Sequence, residues 1–519
     1  MSARVKPLTI AAALAVAVVV LVLVLSAGAS TAPGQTAAVV PPTAVLYVEL
    51  LTHPGGAQGA TAERVLAPVL GDAPLERLGP LLARALAPGG GLRYDRDVRP
   101  WLGARVGIFQ LALSGPSARP AVLAASRDDS AALASIARLG GTPVRYRGVN
   151  YTLRAGDDAV TLVDHVVVAG PQAAVRASID ATRDGSLGDT DAYRFEVGAL
   201  SASRIGLAYL DVTGAAAAIP ARVLPAPLRA ALVERLAGAA TSPLVGAFSA
   251  APGAIVLDIE SDAAQLSVAA APPPVAGGGG GQSSGSPAAA PSVQSATQPV
   301  VSQLPADALF GLALDTSGAA ISTALDPTTQ PPDIAVEIAT LRRRLGALLG
   351  LDPVRDLFPW MGDAALMVRP RTAHGLDLAF VVNSLDPAGT ARSVALIKTA
   401  LSRRHGLRIL ASPIAGPGFA VAGVLARPLL ILPRRERLVV ATSTAIALDV
   451  LSAPMRLSER PDYAVGVTAD GPEVTPTGFV DVGALARRAR GALATVLGHI
   501  TAAVIAGKAR HVRIAFVVR

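Results

Sequence analysis

The stretch GLRYDRDVRPWLG, residues 91–103, contains the feature around which the rest of the chain is arranged. Its end, DVRPWLG at 97–103, returns as DLFPWMG at 356–362. The protein contains two tryptophans, Trp101 and Trp360, and both fall at the same place in this Asp-x-x-Pro-Trp-apolar-Gly motif. We therefore interpret the chain as one structural unit used twice.

The motif is expected to be structural. Proline fixes the backbone on entry, glycine permits a close approach or a positive φ, and tryptophan buries a large apolar area. The aspartate would cap the turn by accepting hydrogen bonds from backbone N–H groups. An exposed tryptophan that serves as a ligand platform or membrane-interface residue is the alternative. The motif residues are Asp97, Pro100, Trp101, Gly103, Asp356, Pro359, Trp360 and Gly362.

The composition describes a chain of 519 residues, which is too long for one ordinary domain and suits two or more. Apolar residues make up 51% but aromatic residues only 3%, so alanine and valine must fill the cores. The absence of cysteine excludes disulfides, thiolate metal sites and a cysteine nucleophile. The net charge of +8 comes from scattered basic residues, whereas nucleic-acid-binding proteins concentrate theirs. We expect no nucleic-acid partner.

The N-terminus predicts attachment to a membrane. Arg4 and Lys6 precede an uncharged apolar run, Leu8–Leu25, that is long enough as a helix to cross a bilayer. Positive charge lies on its N-terminal side, which favours a cytoplasmic segment at 1–7 and a transmembrane anchor at 8–28. Cleavage of this segment as a signal peptide is the alternative. We predict a single-pass protein of the cell membrane whose bulk is extracytoplasmic.

A linker divides the remainder of the chain. Residues 271–303 contain three consecutive prolines and five consecutive glycines but no charge, which indicates a disordered segment. We expect a first unit at 41–270 and a second at 304–519. Short predicted strands joined by turn residues, such as those at 144–169, alternate with helices. The predicted fold is α+β: two tandem repeats of a mainly antiparallel sheet with packed helices, preceded by one transmembrane helix.

Two apolar stretches of the second unit require an assignment. Residues 409–426 are uncharged, but the corresponding stretch of the first unit, near 150–165, carries several charges. Residues 491–507 are apolar as well and overlap a helix that we predict over 487–506, but their counterpart near 228–245 carries charges. Because a repeated fold keeps one environment, we expect both stretches to lie in the core rather than in a membrane.

No pattern in the sequence predicts catalysis. The six histidines are isolated, with no pair at helical spacing and no HExxH motif. A GxSxG match at 281–285 lies in the linker rather than on a strand-to-helix elbow. Neither a P-loop nor a strand-anchored GxGxxG occurs. We predict no catalytic, cofactor-binding or metal-binding residue, no cofactor, and no enzymatic activity.

Two basic clusters, Arg342–Arg344 and 433–437, are open to two interpretations. The first is a solvated helix face and a hairpin turn. The second is contact with anionic lipid headgroups or a cell-wall polymer.

The chain resembles a bacterial family of membrane-anchored extracytoplasmic proteins of unknown function. The resemblance rests on the tryptophan motif, the opening Pro-x-x-Ala-apolar strand near Pro41, and Ser186-Leu187 followed by Tyr193-Arg194-Phe195. It covers nearly everything after the anchor. It implies architecture and location and supplies no active site, because no catalytic residues define the family.

The sequence thus favours a non-enzymatic envelope protein with a binding or scaffolding role, whose partner is an envelope protein, a lipid or the cell wall. A carrier of an apolar or lipid-like ligand is the alternative, and it would show an apolar cavity of at least ~300 Å³. A hydrolase with a dispersed site would show polar residues converging on a cleft. A scaffold would show an exposed apolar patch instead.

Overall fold

The computed structural model describes most of the chain after residue 35. The described residues are 36–70, 74–87, 90–112, 119–200, 203–211, 213–214, 243–260, 299–314, 322, 326, 328, 332–349, 352, 354–355, 358–371, 375–424, 427–472, 474–487, 498–508 and 511–519.

Several predicted features lie outside the described residues: the cytoplasmic segment and anchor at 1–28, the helical stretch near 228–238, the linker up to 298, and Asp356. None of the described helices is long and apolar enough to cross a bilayer.

The described residues form twenty strands. In chain order they are β1 Leu46–Leu51, β2 Leu102–Gln110, β3 Ala121–Ser126, β4 Thr142–Tyr146, β5 Val149–Leu153, β6 Asp158–Val163, β7 Val166–Pro171, β8 Gly206–Leu210, β9 Leu244–Ala251, β10 Ala254–Glu260, β11 Phe310–Leu314, β12 Met361–Pro370, β13 Leu376–Ser384, β14 Arg408–Ala411, β15 Phe419–Ala422, β16 Leu429–Pro433, β17 Arg437–Ala441, β18 Thr475–Val480, β19 Ile500–Lys508 and β20 His511–Val518.

The α-helices of the described residues are α1 Gly56–Leu70, α2 Pro74–Leu86, α3 Asp129–Arg138, α4 Gln172–Asp184, α5 Asp191–Ala199, α6 Pro332–Leu349, α7 Pro387–Ser402, α8 Thr444–Ser452, α9 Pro461–Asp470 and α10 Val482–Ala486. The described residues also form short 3-10 turns at Thr36–Val39, Ala155–Asp157, Leu187–Asp189, Val300–Gln303 and Leu457–Glu459 and a π-turn at Tyr94–Val98.

The chain divides into two compact units. Unit 1 takes in the described residues up to 260 together with Val465–Val474 and Val482–Arg519. Unit 2 takes in the described residues from 299 to Ala464 together with Thr475–Asp481. The predicted second unit, 304–519, is therefore shared between them, because β20 pairs with strand β10 of the first unit and β19 pairs with β20.

Unit 1 is built on antiparallel strands in the order β4-β5-β6-β7-β3-β2-β1-β8-β9-β10-β20-β19. The central strand β1 is almost completely buried, and α4 packs on β6 and β7. Tyr47, Phe109, Leu123 and Ile179 are among the largest side chains of this core.

Unit 2 contains antiparallel strands in the order β14-β15-β16-β17-β13-β12-β11-β18. Helix α8 packs on β13 and β17, and α7 packs on β14 and β16. Phe419, Val421 and Ile431 form one cluster with Val394 of α7. Both units are thus antiparallel sheets with packed helices, which confirms the predicted mixture of helices with a mainly antiparallel sheet.

Two local predictions differ from the structure. The predicted helix over 487–506 is wrong at its end, because residues 500–508 form β19 and pair with β20. Periodicity cannot distinguish a helix from a buried strand in such a short apolar run, and the pairing with β20 determines the outcome. The predicted linker ends earlier than 303, because Val300–Gln303 is an ordered turn with buried Val300 and Val301.

Candidate functional site

The tryptophan motif of unit 1 is part of the core. Trp101 is 1% exposed, and its indole Nε1 donates a hydrogen bond of 2.5 Å to the backbone oxygen of Asp97. Arg127 follows β3 and brackets the motif: its backbone N–H donates to the Trp101 oxygen at 2.8 Å, and its Nε donates to the Pro100 oxygen at 3.1 Å. Pro100 itself lies on the surface.

Asp97 is a fully enclosed carboxylate. It accepts hydrogen bonds from the backbone N–H of Arg93 at 2.8 Å and from Arg96 Nε at 2.7 Å, and Arg138 Nε lies 3.2 Å away. The hydrogen bonds from Arg96 and Arg93 lower the pKa of Asp97 well below its usual range. The residue holds the turn together and presents no free polar atom to a ligand.

The tryptophan of unit 2 is also buried, but it makes different contacts. Trp360 is 4% exposed and packs with Met361 and Val382. Its Nε1 has no hydrogen-bond partner among the described residues, to which Asp356 does not belong. Its backbone oxygen accepts from the N–H of Leu385 at 2.8 Å, and Pro359 is exposed.

The two motif glycines allow a close approach of strands. A Cβ on Gly103 would lie 2.9 Å from the backbone oxygen of Ala125 on β3. A Cβ on Gly362 would lie 3.2 Å from the backbone oxygen of Asn383 on β13. The described motif residues are therefore packing residues, and none of them faces a cavity identified in the structure.

A second buried polar cluster lies on β1 and β2. Glu49 is 1% exposed; it pairs with Arg105 and accepts hydrogen bonds from the hydroxyls of Tyr47, at 2.9 Å, and Thr36. Burial, and then the charge of Glu49, raises the pKa of Tyr47. Because these groups satisfy one another, the cluster is a closed structural network rather than an open site.

A third buried group is Asp470 at the end of α9. It is 1% exposed, and neither carboxylate oxygen has a hydrogen-bond partner in the described part of the chain. Arg513 Nη1 donates to the backbone oxygen of Asp470 at 2.6 Å, and Arg513 Nε donates to Asp258 at 3.1 Å. Burial raises the pKa of Asp470 to about 7; Arg513 acts against this and Asp258 adds to it.

The best candidate for a ligand site is a groove of about 430 Å³ in unit 2. Its floor is a row of paired residues on three strands, since Leu410 pairs with Ala420 and Ala420 with Leu430. Successive side chains of a strand alternate between faces, so this row lies opposite the cluster of Phe419 and Ile431 under α7. The floor is apolar, and Leu410 remains 41% exposed.

Polar groups line the sides of the groove. Thr442, Ser443 and Thr444 lead into α8 on one side, and Arg371 and Arg427 line the groove as well. Ser443 caps α8, and its hydroxyl donates to Asp377 at 2.8 Å. The groove therefore combines an apolar floor with a few polar groups, as small-molecule sites do.

The basic clusters singled out in the sequence lie elsewhere. Arg342 pairs with Asp352 at 2.7 Å, and Arg343 Nε donates a hydrogen bond to the backbone oxygen of Ala339 in its own helix. Arg434 holds the preceding loop by donating to the backbone oxygens of Pro417 at 2.6 Å and Ala415 at 3.1 Å. These contacts favour the structural interpretation of both clusters.

Sequence reasoning missed the groove. Its arginines, Arg371 and Arg427, are isolated in the sequence, and its floor comes from strands that were expected only as core. The pairing of β14, β15 and β16 brings them together, and no local pattern encodes that meeting. In the part of the chain that the structure describes, no group of three or more potential metal ligands is found.

Comparisons with known proteins address the family but not the activity. No curated protein matches the chain. A solved structure, crystal form I of TP0453, is 9% identical, with a TM-score of 0.19, and the alignment covers 80% of this chain and 95% of that one. A similarity this weak carries no argument about fold or function. The family model described as "Protein of unknown function (DUF3352)" matches residues 8–416. Since that match spans most of the sequence, the chain belongs to this family of proteins of unknown function.

Proposed function

We propose that the protein is a non-enzymatic, membrane-anchored binding protein of the cell envelope, and that the groove of unit 2 receives an apolar or lipid-like ligand. The observation that carries this proposal is the groove itself. Its volume of about 430 Å³ exceeds the ~300 Å³ expected for a small-molecule site. Its apolar floor suits an acyl chain better than a polar substrate.

Several observations favour binding over catalysis. The buried polar clusters at Asp97 and Glu49 are occupied by their own partners and belong to unit 1, whereas the groove residues belong to unit 2. Thr442, Ser443 and Thr444 bring hydroxyls to the groove, but none of the residues lining it is a histidine that could serve as their general base.

The membrane anchor and the extracytoplasmic location rest on the sequence. The apolar run at 8–25 and the basic residues before it support a single-pass arrangement with the bulk outside. A protease-protection experiment on intact cells tests this: external protease should cleave the folded units, and a reporter fused before Arg4 should be protected. Protection of the units would contradict the proposal.

We also propose that the two halves arose by duplication. The strand order β4-β5-β6-β7-β3-β2-β1-β8 is matched, strand for strand, by β14-β15-β16-β17-β13-β12-β11-β18. This agreement supports a common ancestor for the halves, and with it the equivalence of Trp101 and Trp360.

Backbone hydrogen bonds at matching places give further support. The N–H of Leu187 donates to the Val40 oxygen at 2.7 Å, and the N–H of Leu457 donates to the Leu304 oxygen at 2.8 Å. Both bonds tie a 3-10 turn to the segment that precedes the first strand of its half. The oxygens of the two tryptophans likewise accept from the residue that follows β3 or β13.

Mass spectrometry of extracted lipids tests the ligand. The full chain, purified from its membrane, should carry a lipid-like molecule, and Leu410→Asp should lose it because a charge on the groove floor opposes burial of an acyl chain. Leu448→Asp is the matched control, since Leu448 is an exposed residue of α8 that does not line the groove. Equal lipid content in the wild type, Leu410→Asp and Leu448→Asp would contradict the proposal.

Scaffolding is the second candidate. Leu376 and Leu378 lie on the same face of β13 and are 49% and 40% exposed. Neighbouring exposed leucines are typical of a surface that contacts another protein. If Leu376→Ser together with Leu378→Ser releases an envelope partner in a cross-linking experiment while lipid binding is unchanged, scaffolding is a separate role.

A further inference from the structure

The groove of unit 2 carries charge as well as apolar surface. Arg371 and Arg427 line it, and one carboxylate, Asp377, lies beside it. Asp377 is buried and already engaged: Arg371 Nη2 is 3.5 Å from its Oδ1, and the hydroxyl of Ser443 donates to its Oδ2. The groove therefore has two positively charged guanidinium groups and one neighbouring carboxylate, which is buried.

The two arginines reach the groove from different parts of the chain. Leu410, Ala420 and Leu430 run in a row across β14, β15 and β16. Arg371 follows the end of β12, whereas Arg427 lies in the connection just before β16. Because both arginines line the same groove as the apolar row, a ligand that covers leucine and alanine can bring a charged end to a guanidinium group.

We propose that the groove selects an anionic amphiphile, whose negatively charged head pairs with Arg427 and Arg371 while its apolar part covers Leu410, Ala420 and Leu430. This inference rests on the proposed function, and it adds the sign of the head group. Guanidinium binds carboxylate and phosphate oxygens through charge-assisted hydrogen bonds, which are about twice as strong as neutral ones.

The alternatives fit the groove less well. A cationic head group would face two arginines, and the carboxylate of Asp377 is held by Ser443 and Arg371. A small inorganic anion would satisfy the arginines but leave the exposed part of Leu410 in water. A neutral apolar molecule would contact the apolar floor but would form no ion pair with the two arginines.

Photo-labelling tests the assignment. The full chain is reconstituted in phosphatidylcholine nanodiscs and exposed to a diazirine-bearing fatty acid or to the matching fatty alcohol. The labelled peptides are then mapped by mass spectrometry. The acid should label the peptides that contain β14 to β16 with a half-saturating concentration about tenfold lower than the alcohol, as expected for one charge-assisted contact.

Variants separate the charge from the floor. Arg371→Gln together with Arg427→Gln should raise the half-saturating concentration of the acid about tenfold, to that of the alcohol, and leave the alcohol unchanged. Arg427→Gln alone should give a partial effect and avoids disturbing Asp377. Arg435→Gln is the matched control, since Arg435 is exposed and does not line the groove. Circular dichroism checks that each variant is folded.

The outcomes distinguish this inference from the function on which it rests. If acid and alcohol label the groove equally and the arginine variants change nothing, the anionic head is overturned and apolar binding stands. If inorganic phosphate at an equal concentration displaces the acid, the amphiphile is overturned, because the anion alone carries the affinity. If neither probe labels the groove, the proposed function itself fails.

Discussion

The hairpins β4–β5 and β14–β15 occupy corresponding places in the strand order of the two units, yet aromatic side chains join them to different helices. Tyrosines of β4 and β5 contact α4, whereas Phe419 of β15 packs with Val394 of α7, and its ring centroid lies 5.9 Å from Lys398 Nζ. In unit 1 the Tyr151 hydroxyl accepts hydrogen bonds from Gln172 at 2.5 Å and Arg176 at 2.9 Å. The Arg176 guanidinium lies 5.1 Å from the ring centroid of Tyr146. In unit 2 the corresponding region contains the groove with Leu410 half-exposed.

The same strand order can therefore be combined with different side-chain contacts between the hairpin and the helices. Helix α4 is longer than α8, and it reaches the hairpin through Gln172, Arg176 and two carboxylates, Asp180 and Asp184, that pair with Arg147. In unit 2 the hairpin carries no tyrosine and the corresponding helix is shorter, and the groove lies at this place.

The largest expected effect comes from the two tryptophans. Trp101→Ala and Trp360→Ala should each lower the free energy of unfolding of their unit by about 3–5 kcal/mol, because each leaves a cavity in a core that has few other large residues. Trp101 should cost more, since its indole hydrogen bond to Asp97 is lost as well. Urea denaturation followed by circular dichroism measures both. A larger loss for Trp360→Ala would break the comparison.

Substitution of the motif glycines should lower the free energy of unfolding by less, and the loss should be larger for Gly103 than for Gly362. Gly103→Ala places a Cβ 2.9 Å from a backbone oxygen that cannot yield, so we expect a loss of about 1–3 kcal/mol. Gly362→Ala meets its neighbours at 3.2 Å, and one of them is the flexible side chain of Leu385, so its loss should be below about 1 kcal/mol. Thermal denaturation of the two variants checks the order, and the reverse order would contradict it.

The ends of α5 and α9 should differ in their response to pH. Helix α5 ends at the exposed Ala199, whereas α9 ends at the buried Asp470, whose pKa burial raises to about 7. The folded state therefore holds this proton more tightly than the unfolded state does. Its contribution to stability is full below about pH 4 and is lost as the pH rises through about 7.

Replacement of the Asp470 carboxyl by an amide tests this pH dependence of stability. Asp470→Asn should stabilise the protein by about 1–2 kcal/mol near pH 8 and change little near pH 4, because the amide never acquires a charge. Urea midpoints across this range measure the difference, with Asp462→Asn as a control, since its carboxylate is paired with Arg460 at 2.6 Å. A stabilisation that is independent of pH would contradict the titration of Asp470.

The smallest expected effect concerns the hairpin of unit 1. Tyr151→Phe keeps the ring and removes the hydroxyl to which Gln172 and Arg176 donate hydrogen bonds. We therefore expect a loss of about 0.5–1.5 kcal/mol in unfolding free energy. Faster amide hydrogen exchange in β4 and β5 should accompany it. Unchanged exchange in these strands would show that the hairpin is held by other contacts, and the contrast with unit 2 would lose its basis.

Local signals predicted the strand-and-turn regions of the fold well. The run of short strands between 144 and 169 corresponds to β4, β5, β6 and β7, because turn residues with positive φ, such as Gly148 and Asp164, separate them. Helix α3 begins after Asp128, whose carboxylate caps it, and α4 begins after Pro171; both start signals stand in the sequence itself. A turn is encoded within a few residues, which a single sequence displays.

Long-range pairing could not be predicted in the same way. Residues 500–508 are apolar in either a helix or a strand, and only their partner β20 decides between the two. The groove depends on the pairing of three strands and on Arg371, which lies far from them in sequence. The enclosure of Asp97 by Arg96 and Arg138 is equally invisible, since Arg138 comes from α3.

The pairing of β10 with β20 has a consequence for how the protein is made. Ile255 lies opposite Phe516, and Leu257 lies opposite Ile514, so the first unit acquires its last partners only when residues beyond 510 emerge. Until then the edge of β10 exposes unpaired backbone groups that invite association with other chains. We expect folding to finish in a single late step after the distal strands arrive, and nascent chains to need protection until then.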